Sequence, residues 1–528
     1  MAENGFQKIL VRVVAAAAAA FVAWALAAAA ITTHALPSLR TDFYSSIARD
    51  QVAAFQHSVG VRASAGTDWI HAGWIADPEH ESYQVYLRRA QDIGSDGWRR
   101  VATTRHGSAL VREADAGGAY EVKVEAISDA DAAPREVGIA TVRTAGEAGP
   151  RQRPVIVGPW RQLFRPSVAG DYINDHTVFR DGTGRWRLLG ITGPGRGDYT
   201  AEVRLAHGVA PERARPAMEN GADRPPAPDA GLDEPSSGAM PRNDGAQPSS
   251  SAMPQNRVAQ RSGAAPHDGA ESSTAPQATF AELLASGGMT EDEPVADYRQ
   301  PAWAPHVLRD GAGLFHLFWS PHRLAHAVSS DGAHWYRRPD AIPRASGWFF
   351  RDAMVLEVAR GQWLAYATSR GWWYSAIDVY QSFDLDHWQR IGTAWQAGRG
   401  SERNALVSSA ESPFVVAHDG HYYLSLTYNN ESGVLAPVLL ALGIWKGTSA
   451  SYNDTLVFAS TNPYDFGQWR GHQRPSQLVA ELETHAPEFI HDESDGTWYV
   501  TTCGWPLAAT LTSGEVAAAP LRWEVIAR

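Results

Sequence analysis

Three acidic residues stand at the heads of apolar strand patterns and are the first candidates for chemistry. They are Asp175 in Tyr172-Ile173-Asn174-Asp175-His176, Asp352 in Arg351-Asp352-Ala353-Met354, and Glu411 in Glu411-Ser412-Pro413-Phe414. Two further heads share the pattern, Trp303-Ala304-Pro305-His306 and His485-Ala486-Pro487-Glu488. Carboxylates gathered in one pocket repel one another, which raises at least one pKa and leaves an acid beside a base. Cleavage of a glycosidic bond needs that pair of protonation states: one carboxyl protonates the leaving oxygen and another acts as nucleophile or base. Each residue also has a plainer use: a turn cap for Asp175, an ion pair with Arg351 for Asp352, a solvated strand end for Glu411. Glu488, at the fifth head, is a rival acid.

The elements that must position these groups repeat. After each head comes a turn, at Asp181-Gly182, Asp310-Gly311, Arg360-Gly361, Asp419-Gly420 and Asp495-Gly496, and then a second strand pattern. Such turns join antiparallel strands. Arg204-Leu205-Ala206-His207 returns as Arg323-Leu324-Ala325-His326, and Ser329-x-Asp331-x-x-x-Trp335 returns as Ser382-x-Asp384-x-x-x-Trp388. Five units of about four strands, recurring every roughly fifty to eighty residues, predict a five-bladed β-propeller. The first strand of a propeller blade lines the central channel. Asp175, Asp352 and Glu411 are therefore expected in matching positions at one channel end, in units one, three and four.

The rest of the chain is accessory. Residues 55–145 alternate with period two between Gly, Asp and Pro turns, which predicts an antiparallel β-sandwich. A Gly/Ala/Pro linker follows, and the propeller is expected over 154–528. Pro211 to Thr279 holds no aromatic residue and is dominated by Pro, Ala, Ser, Gly and Asp. It cannot bury enough apolar surface to order itself, so 209–296 is expected to be a disordered insertion in the first blade. Lys8 and Arg12 precede an uncharged run from Val13 to Ile31, so residues 1–36 read as a cleaved signal peptide or a membrane anchor. The remainder is expected outside the cytoplasm, secreted or anchored by that apolar helix alone.

Composition narrows the partners. The 58 acidic residues outnumber 46 basic ones and no long basic block occurs, which argues against nucleic acid. The one cysteine, Cys503, excludes an intramolecular disulfide and a cysteine-based zinc site, and reads as a small buried hydrophobe.

Two resemblances add to these readings. Residues Val59 to Thr144 resemble a fibronectin type III domain through Trp69, Tyr83-x-Val85-x-Leu87 and Tyr120-x-Val122-x-Val124, with Tyr120 placed for a tyrosine corner. Pro154 to Val525 resembles the five-bladed propeller glycosidases of families 43, 32 and 68. Asn174-Asp175 is similar to the Asn-Asp-Pro motif of family 32, with His176 for Pro. Arg351-Asp352-Ala353 is similar to the Arg-Asp-Pro motif of families 32 and 68, with Ala for Pro. Glu411-Ser412-Pro413 resembles Glu-Cys-Pro and Glu-Gly-Pro, and Trp303-Ala304-Pro305-His306 resembles Trp-Ala-Pro-Asp of family 43. The resemblance implies Asp175 as nucleophile or general base, Asp352 as transition-state stabiliser, and Glu411 as general acid.

Substrate contacts are expected from Asn174, His176, Trp303, His306, Arg351, Trp372, Trp373, His485 and Glu488. The histidines would hold sugar hydroxyls or a channel ion; their spacing is not diagnostic of a metal, and neither a metal nor a cofactor is assigned. The expected function is hydrolysis of an arabinoside, xyloside or fructoside in an oligo- or polysaccharide. A propeller that only binds glycan or protein, and a glycosyl-transferring enzyme, are the alternatives.

Overall fold

The computed structural model describes residues 59–77, 79–92, 97–112, 114–128, 133–168, 170–194, 201–212, 278–296, 301–343, 350–370, 375–397, 409–429, 454–469, 476–503 and 514–526. The apolar N-terminal run and Trp372-Trp373 lie outside the described residues. Among the described residues no helix is long and apolar enough to cross a membrane.

Alternating sequence becomes sheet throughout. Ser82–Arg89 and Ala119–Ile127 bury every second residue, as a half-buried strand must. They belong to a four-stranded sheet that faces a three-stranded one across a core including Ile70, Trp74, Tyr83, Val85, Val111, Val122 and Val124. The Tyr120 hydroxyl accepts from the Asp115 amide at 2.8 Å, the upstream bond expected of it.

Five sheets follow, antiparallel except where Gln468–Trp469 adds a short parallel strand to the third, and the expected five-bladed propeller is the observed fold. The innermost strands are Asp171–Arg180, Trp303–Arg309, Arg351–Ala359, Ser409–His418 and Phe489–Asp492. The ring closes by exchange: the fifth blade takes its last strand, Gln152–Ile156, from the start of the propeller region. Asp181 shows why an Asp heads the hairpin turns. Its Oδ1 accepts from the Thr183 and Arg185 amides at 2.9 and 3.0 Å. Ser382 and Asp384 order the third-blade loop in the same way, beneath the fully buried Trp388.

One expectation needs correction. The span 209–296 is not an unbroken insertion. Thr279 caps a helix, Phe280–Ala285, in a reciprocal capping box with Glu282, and Phe280, Leu283 and Leu284 are buried. Thr290–Ala296 is then the outer strand of blade one, paired with Arg204–Val209. Six apolar or helix-favouring residues after a Thr-x-x-Glu cap were enough to order a stretch that the surrounding composition had hidden. The sandwich, in turn, is docked on blades three and four. The Trp69 indole donates to the Thr461 carbonyl at 2.6 Å, His71 stacks on Tyr464 at 3.9 Å, and Gln381 donates to the Gly107 carbonyl at 2.8 Å.

Candidate active site

Each innermost strand of blades one to four is interrupted at its head by a β-bulge. The paired residues on either side are Ile173 and His176, Trp303 and His306, Arg351 and Met354, and Glu411 and Phe414. Ala304, Asp352, Ser412 and Ala486, in blades two to five, take φ between 45° and 53°, a conformation that L-residues visit at a cost. Hydroxyls of second strands hold the bulge of the next blade. The Asp352 amide donates to Ser320 Oγ and the Ala486 amide to Thr427 Oγ1, each at 2.9 Å. A bulge turns side chains out of the pleat and aims them at the channel.

The strand heads of all five blades line one cavity, with Asp175, Asp352, Ser412, His176, His306 and Glu488 among its walls. Asp175, Asp352 and Glu411 thus approach one another, but not from matching positions. Relative to the bulge, Glu411 is the last paired residue, Asp352 the first bulged residue, and Asp175 the second. Equal spacing from the strand head had suggested equivalence. The bulge register staggers them by one residue each, and convergence comes from the turned backbone.

Two residues tie the carboxylates together. Arg351 pairs with Glu411, and its Nε lies 3.4 Å from Asp352 Oδ2. Ser412 donates its hydroxyl to Asp175 Oδ1 at 2.8 Å and its amide to Asp352 Oδ2 at 3.3 Å. Thr368 Oγ1 adds a bond to Asp352 Oδ2 at 3.3 Å. All three carboxylates are buried. Burial, then the charges of Asp352 and Glu411, push Asp175 well above the usual carboxylate range, against the Ser412 hydroxyl and Arg351. For Asp352 burial raises the pKa, Arg351 opposes and Glu411 adds, leaving it at about 6. Glu411 Oε1 is buried with no hydrogen-bond partner among the described residues.

The other predicted residues divide. Glu488 is part of the frame: its Oε2 accepts from the Val178 amide at 2.8 Å, and its Oε1 lies 3.9 Å from His306 Nδ1. His306 Nε2 donates in turn to the Val355 carbonyl at 2.9 Å, so blades one, two, three and five are stitched together here. Burial raises the Glu488 pKa and His306 opposes. His176 bonds Thr501 Oγ1 at 2.8 Å, and burial holds it neutral, its pKa lowered to about 3. Trp303 neighbours Glu202, a buried carboxyl that burial raises to about 7 and that sequence reading passed over.

Cys503 and Ser412 were missed. Cys503 is fully buried, as expected of a small hydrophobe, but its thiol donates to Asn174 Oδ1 at 3.4 Å and to the His485 carbonyl at 3.3 Å. Donor atoms of Asp175, His485 and Cys503 lie within 4.8 Å of one another, which makes them the candidate ligand set for a metal ion. A thiol aimed at two oxygens is held as S–H, whereas a metal binds the thiolate. The arrangement fits a hydrogen-bonded wall of the cavity better than a metal centre. No sequence signal marks Cys503, because blade five must close against blade one before it meets Asn174.

No protein-family profile and no curated protein matches the chain. Among solved structures it is similar to a variant of a GH32 beta-fructofuranosidase of Bombyx mori in complex with sucrose, at 10% identity and TM-score 0.40, covering 69% of this chain and 62% of that one. It is similar to a beta-fructofuranosidase from Schwanniomyces occidentalis complexed with fructosyl-erythritol, at 12% identity and TM-score 0.37, covering 69% and 58%. An alpha-L-arabinanase of Penicillium chrysogenum complexed with arabinobiose gives 10% identity and TM-score 0.36, covering 69% and 98%. The chain spans less than two thirds of the length of the first two, and at these identities the likeness concerns architecture.

Proposed function

We propose that this protein is a glycoside hydrolase acting on an arabinoside, xyloside or fructoside bond of an oligo- or polysaccharide. The observation that carries the reading is the approach of Asp175 and Asp352 from two blades on one cavity, bridged by Ser412, with Glu411 of a third blade tied to the cluster through Arg351. Such a cluster holds a proton on one carboxyl and a negative charge on another, the pair that glycosidic cleavage uses. In the assignment that the sequence motifs suggest, Asp175 is nucleophile or base, Asp352 stabilises the positive charge developing on the sugar, and Glu411 protonates the leaving oxygen through Oε1. We also propose that the N-terminal apolar run exports the chain, with the sugar polymer met outside the cytoplasm.

One observation favours an exchange of roles. Burial and two neighbouring carboxylates favour the protonated form of Asp175, whereas Arg351 pairs with Glu411. Asp175 would then be the acid. The two assignments part on leaving-group dependence. A variant lacking the general acid keeps hydrolysing aryl glycosides whose phenol needs no protonation, and a variant lacking nucleophile or base does not. Asp175→Asn and Glu411→Gln, assayed on dinitrophenyl and alkyl glycosides after a polysaccharide screen of the wild type, decide between them. Full activity in both variants sinks the proposal. Binding of a glycan without turnover selects a lectin-like propeller, and oligosaccharide products longer than the substrate select glycosyl transfer.

A further inference from the structure

The positive-φ strand head that carries Ser412 recurs in blades two and five with Ala304 and Ala486 at the corresponding place. A methyl group therefore meets every steric demand of the bulge, at nearly the same positive φ. The hydroxyl of Ser412 is surplus to folding. It reaches Asp175 Oδ1 at 2.8 Å, on blade one, which is not a neighbour of blade four in the ring. The backbone amide of the same residue holds Asp352 Oδ2 at 3.3 Å, on blade three. One residue therefore bridges two carboxylates across the channel, using a side-chain donor that Ala304 and Ala486 lack at that place.

We infer that Ser412 is a positioning residue that clamps Asp175 against Asp352 and thereby sets which of the two carries the proton. The inference rests on the catalytic reading of Asp175. The hydroxyl has one proton to give. Directed at Asp175 Oδ1, it stabilises the anion. Of the groups acting on Asp175, burial, Asp352 and Glu411 oppose its charge, while Ser412 and Arg351 favour it. Arg351 already serves Glu411 and Asp352. The Ser412 hydroxyl is the counterweight directed at Asp175 alone.

The test compares Ser412→Ala and Ser412→Gly in the full chain. Both lose the hydroxyl and keep the amide. Ala retains the backbone cost of a positive φ and Gly relieves it, so agreement between the two isolates the hydroxyl from strain. The side-chain carboxyl of Asp175 is titrated by carbon-13 resonance in aspartate-labelled protein, with Asp175→Asn identifying the signal. Both variants should raise its midpoint by about one pH unit, the size of one hydrogen bond to a charged oxygen. On a substrate turned over by the wild type, the limb of kcat that Asp175 sets, the acidic one as base or the alkaline one as acid, should move up by the same amount, with KM nearly unchanged. Ser412→Cys, a weaker donor, should fall between. An unmoved Asp175 midpoint in both variants overturns the inference, whatever happens to activity. A wild type that cleaves no glycoside defeats the catalytic reading, and the titration still decides the clamp.

Discussion

Replacing Asp352 by Asn should stabilise the protein above neutral pH while leaving it little changed at pH 4. Asp352 is 5% exposed and its pKa rises from 3.8 to about 6, burial leading, Arg351 opposing and Glu411 adding. A carboxyl whose folded pKa is raised binds its proton more tightly in the native state. Its contribution to stability is complete below about 3.8 and is lost as pH rises through about 6. A displacement of roughly two pH units corresponds to about 3 kcal/mol, most of it lost between pH 4 and pH 7.5. Asn has nearly the same shape and no charge at either pH. The Thr368, Ser412 and Arg351 contacts that it satisfies less well shift both measurements together. The assay is therefore the difference in Tm between variant and wild type at the two pH values. It should grow towards pH 7.5 by a few degrees, as about 2–3 kcal/mol does in a large domain. An offset that stays constant, or shrinks with rising pH, would refute the buried-charge account of Asp352. Hydrolysis should be lost in the same variant, so that stability and activity move in opposite directions.

Other outcomes can be checked with simple measurements. Glu488→Gln should keep most of the hydrolytic kcat, because the group holds the Val178 amide and faces His306 inside the frame; a loss as deep as that of Glu411→Gln would place it among the reacting carboxyls. His71 is buried with its pKa lowered to about 3, so its contribution is complete above 6.5 and lost as pH falls towards 3; His71→Gln should flatten the fall of Tm between pH 7 and pH 4.5, and an unchanged slope would count against it. Thr279→Ala removes the helix cap and should lower stability by about 1 kcal/mol in urea unfolding, an effect that would be absent if the helix Phe280–Ala285 were held by packing alone.

Period-two alternation, Asp and Gly turns and repeated strand heads were enough to read five blades from the chain, because each of these signals is local. A hairpin turn acts over a few residues, and a buried strand face is written in its own side chains. The carboxylates Asp175, Asp352 and Glu411 were visible for the same reason, as charges at the heads of apolar strands. Less was visible where the cause is distant. Closure of blade five by Gln152–Ile156, and of blade one by Thr290–Ala296, joins strands that the sequence separates widely. The docking of Trp69 and His71 against Thr461 and Tyr464 has no counterpart in either local pattern.

The site divides along the same line. Residue type and order alone placed three carboxylates at strand heads of a propeller and suggested proton transfer as their chemistry. Tertiary structure decided their register, because the bulges stagger them by one residue and turn them towards each other. It also decided their neighbours: Ser412 and Arg351 tie the cluster, Cys503 holds Asn174, and Glu488, at the cavity wall, is bonded to the Val178 amide. A pKa depends on burial and on charges a few ångströms away, and those distances exist only once the five blades have closed.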